Sequence, residues 1–275
     1  MNRVVLGLVE RGLIPDSVVR AGIRSLLETR LTDDIPEDPD ARIQASERIR
    51  AAMAASPIAV ATDAANEQHY EVPPAFYQQV LGPHLKYSSC LYPTGSETLE
   101  EAEAAMLQTT VERAGLHDEQ EILELGCGWG SLTLWMAEHL PKARITAVSN
   151  SAPQRRFIEA QARERGLTNL RILTADMNDF RPPLEDGRYD RVVSVEMFEH
   201  MRNWHALLGR IADWLRPGGR VFLHVFCHRA VPYFFEDEGE DDWMARHFFT
   251  GGLMPSLELP GRVSDRFDVD EQWAV

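Results

Sequence analysis

The sequence predicts an α/β fold, a mostly parallel sheet with helices on both faces, preceded by a helical N-terminal region. From residue 121 onward, short β-rich runs alternate with helical stretches, and strand–helix alternation is satisfied by a parallel sheet covered on both sides. The first β-rich run passes into the glycine turn "GCGWG" and then into a helical stretch, the order of a Rossmann-like nucleotide-binding unit. Before about residue 115 the apolar spacing is helical, in pieces. Two regions follow: residues 1–115, a helical cap and substrate region, and residues 116–275, the Rossmann-like domain.

In the first region, "VVRAGIRSLLETRL" and "ARIQASERIRAAMAAS" place apolar residues at helical intervals on either side of the acidic, proline-bearing "TDDIPEDPD", which must be loop. "PPAFYQQVLG" enters a short helix through prolines. "TLEEAEAAMLQTTVERAG" opens with a Thr98-to-Glu101 capping box and stops at Gly115. In the second region "EILEL", "RITAVS", "LRILTAD", "YDRVVSV" and "RVFLHVF" are the strands, separated by helices "SLTLWMAEHL", "APQRRFIEAQARERG" and "NWHALLGRIADWL". The turn "RPGG" at 216–219 is expected to end the last helix.

Composition narrows the function classes. The chain has 275 residues with 28 Lys+Arg against 43 Asp+Glu, a net charge of −15, which argues against nucleic acid and against adhesion to anionic lipid while welcoming a cationic small molecule. Residues 1–30 are the exception, with five arginines against three acids, so contact with a membrane is expected to be peripheral at most. No apolar run reaches the roughly 20 residues that span a bilayer and no signal peptide is evident, so the expectation is a cytoplasmic protein. Cys90, Cys127 and Cys227 are far apart and lack metal-ligand spacing, so neither a disulfide framework nor a metal site is expected. A homodimer is compatible with the sequence, which assigns no oligomeric state.

The glycine turn places Gly126, Gly128 and Gly130 between strand and helix, where the backbone can approach a ligand and the helix N-terminus faces it. The dinucleotide fingerprint needs glycine at position 131, where Ser131 stands; GxGxG with Glu124 two positions earlier is the pattern that holds S-adenosyl-L-methionine. The second strand ends "VSNS", assigning the ribose hydroxyls to Asn150 with help from Gln154. After the third strand, Asp176 is placed to accept from the adenine amino group and Met177 to pack on the purine. These positions follow the carboxyl ends of successive strands, where open α/β sheets bind ligands.

The fourth strand leads into "SVEMFEHM", with Glu196, Glu199 and His200 within five positions. An amine of pKa about 10 is only about 0.1% free base at neutral pH, which adds roughly 4 kcal/mol to the barrier for its alkylation. A base beside the nitrogen lowers that cost. His200 is the natural proton acceptor, Glu199 can orient it or attract the ammonium form, and Glu196 joins them if the segment is helical. Trp129, Phe198 and Trp204 are candidate aromatic faces for a cation.

With these motifs in view, "GCGWGSLTLWMAEHL", "AVSNSAPQRRFIE", "VEMFEHMRNW" and "HVFCHRAVPYFFEDEGEDDWMARHFFTGGLMPS" resemble the plant coclaurine and pavine N-methyltransferases, within the cyclopropane-fatty-acyl-phospholipid-synthase-like group. "NEQHYEVPPAFYQQVLGPHLKYSSCLYP" fits as well. The resemblance implies a class I methyltransferase that uses S-adenosyl-L-methionine. It implies that Tyr87 and Ser88 contact the methionyl end of the donor, that Glu199 and His200 are the catalytic pair, and that Glu71 faces the substrate. In the cyclopropane branch the Glu of the FEH motif, here Glu199, and a His corresponding to His224 help hold a bicarbonate base. Relatives of this kind continue past "FDVDEQWAV", so the C-terminal end of the fold is expected to be incomplete. The expected reaction is N-methylation of a small amine. The alternatives are cyclopropanation of an unsaturated lipid acyl chain and a donor-binding module of weak activity.

Overall fold

The computed structural model describes residues 3–33, 35–60, 73–183, 188–237 and 242–275. Five strands form one parallel sheet in the order β3-β2-β1-β4-β5: β1 (Glu121–Leu125), β2 (Arg144–Ser149), β3 (Leu170–Thr174), β4 (Tyr189–Val195) and β5 (Leu215–His224). The strand order reverses between β1 and β4, so the loops leaving these two strands diverge and open a crevice at their carboxyl ends.

Both faces of the sheet are packed, as the near-continuous apolar strands require. On one face Leu123, Leu125, Val148 and Val192 meet Trp204, Leu207, Leu208 and Ile211 of α8 (Trp204–Trp214), with Met53 of α3 (Pro39–Ala55) and Ile58 after it. On the other, Ile122, Ile145 and Val193 meet Leu107 and Val111 of α5 (Leu99–Ala114) and Leu132, Trp135 and Met136 of α6 (Ser131–His139). Adjacent residues of β1 thus point to opposite cores, the alternation of a strand. The sheet is flanked further by α7 (Ala152–Glu164).

Upstream lie α1 (Arg3–Glu10), α2 (Asp16–Asp33) and α4 (Pro74–Val80). Helix α5 begins on the expected capping box, with Thr98 and Glu101 exchanging side-chain-to-backbone hydrogen bonds, and ends at Gly115 in the left-handed region, φ +60°. Among the described residues no helix is long and apolar enough to cross a membrane.

The "RPGG" segment departs from its expected role. Helix α8 stops at Trp214 and β5 begins at once, pairing Leu215 with Tyr189 and then Arg220 with Arg191. Residues 216–219 are therefore a bulge inside the strand, with Gly218 at φ +80°. Beyond the sheet, β6 (Tyr233–Phe234) pairs antiparallel with β7 (Leu253–Met254) around α9 (Trp243–His247). This small hairpin carries the Phe-rich segment back over the crevice.

Candidate active site

Two cavities open at the carboxyl ends of the strands and share Gly126, Gly128, Glu196 and His200. The first is lined further by Val148 and Ser149 at the end of β2, Asn150 and Gln154 after it, Ala175 and Met177 after β3, and Met197, Met201 and Thr250. The second adds Glu124, Trp129 and Ser131 from the glycine turn and its flanks, Lys86, Tyr87 and Ser88 from the segment before α5, and Phe226, Phe248 and Phe249.

The glycine turn holds its shape for three separate reasons. Gly126 sits at φ +80°, and a Cβ there would lie 2.5 Å from Met197. Gly128 sits at φ +53° with open space where a Cβ would project, so it is the backbone that faces the cavity. Gly130 lines neither cavity; a Cβ there would strike Ile158 of α7 at 2.7 Å, so its role is close packing. Beneath the turn, Glu124 is buried, accepts a 2.5 Å hydrogen bond from Thr133 Oγ1, and is pushed by burial up to about 7.

After β2, the Ser149 hydroxyl donates to Gln154 Oε1 at 2.6 Å. That bond fixes the amide so that Gln154 Nε2 is left buried, without a hydrogen-bond partner, beside the first cavity. A buried donor in this state can be satisfied by an acceptor entering the cavity, a ligand oxygen or a water. With the open face at Gly128, it makes the crevice fit a nucleoside whose hydroxyls reach Gln154 and Asn150. Met177 lines the same cavity. Asp176 does not: its Oδ1 accepts from Asn178 N at 2.7 Å, and the residue lies outside the lining.

The acidic segment after β4 differs from its expected form. Only Phe198–His200 forms a single 3-10 turn, and Glu196 precedes it at φ +49°, an uncommon conformation for a residue with a side chain. Its backbone N–H donates to His224 O at 2.8 Å, which anchors the turn to β5. Glu196 and His200 reach both cavities. Glu199 is turned inward: it is fully buried, its Oε1 accepts from Phe226 N at 2.9 Å, its Oε2 is unpaired, and burial pushes its carboxyl up to about 8.

Phe198 and Trp204 correct the expectation of a substrate contact. Both are fully buried and face each other at 5.1 Å in the core under the site, and the Trp204 indole N–H is spent on the Phe198 and Met201 carbonyls. The aromatic wall of the second cavity is Phe226, Phe248 and Phe249 instead, with the His200 ring 5.5 Å from Phe249. His224 stands behind Glu196, its Nε2 3.9 Å from Glu196 Oε1 and 3.3 Å from Ser89 Oγ. Burial, then the charges of Lys86 and Arg113, hold its imidazole down at about 4, so it is neutral at pH 7. Glu71 lies outside the described residues.

Two residues escaped the sequence reading. Glu103 on α5 is fully buried, and its carboxylate accepts the backbone N–H groups of Gly82, His84 and Lys86 at 2.9 to 3.0 Å. It pins the loop that presents Lys86, Tyr87 and Ser88 to the cavity, including Leu85 at φ +51°. Lys86 itself is 5% exposed. The signal was in the composition: of 28 Lys+Arg residues, only Lys86 and Lys142 are lysines.

The sheet order, the crevice at its switch point and the glycine turn define a class I methyltransferase. The family model for mycolic acid cyclopropane synthetase matches residues 60–268, and the chain belongs to that family of S-adenosylmethionine-dependent methyltransferases. It is 36% identical to the (S)-coclaurine N-methyltransferase of Thalictrum flavum subsp. glaucum over 98% of this chain and 75% of that one. A crystal structure of coclaurine N-methyltransferase bound to N-methylheliamine and SAH superposes with a TM-score of 0.92 at 33% identity, covering 98% of this chain and 78% of that chain. The cyclopropane-fatty-acyl-phospholipid synthase of Escherichia coli (strain K12) is 30% identical over 75% of this chain and 51% of its own length.

Proposed function

We propose that the protein transfers a methyl group from S-adenosyl-L-methionine to the nitrogen of a small amine, with His200 as proton acceptor. The observation that carries this reading is that Glu196 and His200 line both cavities where these meet. A ligand reacting across that junction has an imidazole and a carboxylate beside the transferred group.

The first cavity suits the adenosine part of the donor: Asn150 and the unspent Gln154 amide toward the ribose, Met177 against the purine. The donor supplies a methyl electrophile on a sulfonium centre. Residues 1–115 contribute the cap wall through Lys86, Tyr87 and Ser88. The second cavity then receives the acceptor amine. Its phenylalanine faces attract an ammonium group. Glu196, which burial raises against the opposing pull of Lys86, holds that cation near His200. The imidazole removes the proton, exposing the lone pair. Glu199 does not reach the cavity; it fixes the 3-10 turn that aims His200, through its bond to Phe226 N. It is a positioning residue in this account.

The relatives support the amine: several similar curated proteins are N-methyltransferases by name, and a solved relative carries N-methylheliamine beside SAH. A lipid acceptor is the second reading: the cyclopropane branch is expected to hold its bicarbonate with the Glu199 and His224 positions, and His224 stands behind the site, 3.3 Å from Ser89 Oγ. Incubation with donor, an amine panel and unsaturated phospholipid vesicles, followed by mass spectrometry, separates the two. Methylated amine is the expected product; a methylene gained by the lipid alone would establish the second reading.

A further inference from the structure

The phenylalanine wall of the second cavity does not belong to the main sheet. Phe248 and Phe249 lie between β6 and β7, in a small apolar cluster where Phe235, Ala245 and Phe249 are buried together and Phe226 and Phe248 pack against them. Phe249 stacks on Phe235 with 4.9 Å between ring centroids. Two strands of two residues each do not hold a position by themselves, so whatever fastens the hairpin to the body decides where the wall stands relative to His200.

Arg202, two residues past His200, joins the two parts. Its root is held from one side: Arg202 N donates to Ile58 O at 2.6 Å, and the Asn203 Nδ2 group donates to Ala54 O and Ser56 O at 3.1 and 2.8 Å. Its head reaches the hairpin on the other. Nε donates to Gly251 O at 3.2 Å, Cζ lies 3.7 Å from the centre of the Phe234 ring, and Nη1 stands 3.7 Å from Glu236 Oε1. The Arg202 side chain is only 11% exposed, so ring and carbonyl meet a cation that water screens little. Glu236 is largely exposed and adds less.

The hairpin sits close against the turn. A Cβ at Gly252 would lie 3.0 Å from Glu199 O. The cross-strand pair Phe234 and Leu253 faces the main core, while the pair Tyr233 and Met254 faces the satellite cluster, the alternation of a strand. Arg202 thus stacks on Phe234, whose neighbour Phe235 stacks on Phe249, and Phe249 stands 5.5 Å from the His200 ring. Arg202 itself lines neither cavity.

We propose that Arg202 is the positioning residue that seats the β6–β7 hairpin against the His200 turn and so holds the aromatic wall that receives the acceptor in register with the imidazole. The role given to the wall rests on the amine reading above; the seating of the hairpin does not.

The test compares the wild-type protein with Arg202→Met, Arg202→Lys and Gly252→Ala. In hydrogen exchange followed by mass spectrometry, Arg202→Met is expected to speed exchange at residues 233–235 and 248–254 by roughly tenfold or more, as loss of a hydrogen bond to a charged group implies, while β1 and β4 keep their protection. With the panel amine that the wild-type protein methylates fastest, kcat/KM is expected to fall by roughly tenfold or more, mostly through KM, because the wall holds the amine in ground and transition state alike. Affinity for S-adenosylhomocysteine is expected to stay within about threefold. Arg202→Lys, which keeps the charge but not the planar group spanning ring and carbonyl, is expected to fall between wild type and Arg202→Met. Gly252→Ala, which pushes the hairpin off the turn with Arg202 intact, is expected to change exchange and amine KM in the same direction. Unchanged exchange in the hairpin of Arg202→Met, exchange rising equally in β1 and β4, or donor affinity falling in step with that for the amine would overturn the seating role. Faster exchange with unaltered amine kinetics would overturn its link to the acceptor. Methylation of no panel amine by the wild-type protein would overturn the amine reading instead, and the exchange result alone would then decide the seating.

Discussion

The two cavities that meet at Gly126, Gly128, Glu196 and His200 are assembled from different parts of the chain. Most of the first is supplied by residues at the ends of β1 to β4 or within three positions past them, so the order of the strands dictates where Asn150 and Met177 stand. The second draws on Lys86 to Ser88 before α5, Leu107 and Thr110 within it, and Phe226, Phe248 and Phe249 beyond β5. On the proposed reading, the nucleoside end of the donor is thus positioned by sheet topology. The second cavity is set by packing between segments over 100 residues apart in sequence, and it is the part free to diverge among proteins of one fold.

The contrast is broken most severely at the turn the cavities share. Gly128→Val forces a branched side chain onto φ +53° and fills the open face; S-adenosylhomocysteine affinity is expected to fall by roughly 100-fold, measured by calorimetry. Retained affinity would detach the glycine turn from donor binding. A smaller effect is expected from Glu103→Gln, which brings an amide NH2 against backbone donors that now share one carboxylate. Chemical denaturation should show a loss of about 1–3 kcal/mol, with weaker S-adenosylhomocysteine binding through the loosened loop. Stability lost without any change in binding would make the loop a structural element only.

The smallest effect is a slope. Glu199 has its carboxyl raised from 4.5 to about 8 by burial, so the folded state holds this proton more tightly than the unfolded chain and stability falls as pH rises through that window. Glu124, raised to about 7, acts in the same direction. His224 opposes them at lower pH: depressed from 6.5 to about 4, it makes stability rise with pH across that range. Between pH 6.5 and 8 the two carboxyls outweigh the fading contribution of His224, and the unfolding temperature should decline. Glu199→Gln should flatten the decline without abolishing it, and an identical slope in the variant would remove Glu199 from the account.

What the sequence disclosed follows the same division. The five strands, the glycine turn and the capping box of α5 could be read directly, because periodicity and caps are local signals. Asn150 and Gln154 could be placed because a parallel sheet sends successive strand ends to one edge. Phe198 and Trp204 could not, since adjacency to a reactive motif does not tell which way a ring points, and here the 3-10 turn sends both into the core. The same turn exchanges the expected places of the two acids, with Glu196 at the cavity and Glu199 behind it. "RPGG" was misread because a glycine that can end a helix can equally bulge a strand. Lys86 and Glu103 belong to contacts between α5 and the loop before it, which no local pattern encodes.

The central claim is that His200, at the junction of the cavities, acts on the acceptor and not on the donor. Its most direct test is the single-turnover rate of methyl transfer to an amine with donor bound in excess, compared between the wild-type protein and His200→Ala, alongside S-adenosylhomocysteine affinity. The rate is predicted to fall by roughly 10²- to 10⁴-fold, the range of general-base catalysis, with affinity for S-adenosylhomocysteine held within about threefold. An unchanged rate, or a loss of rate matched by an equal loss of that affinity, would contradict it.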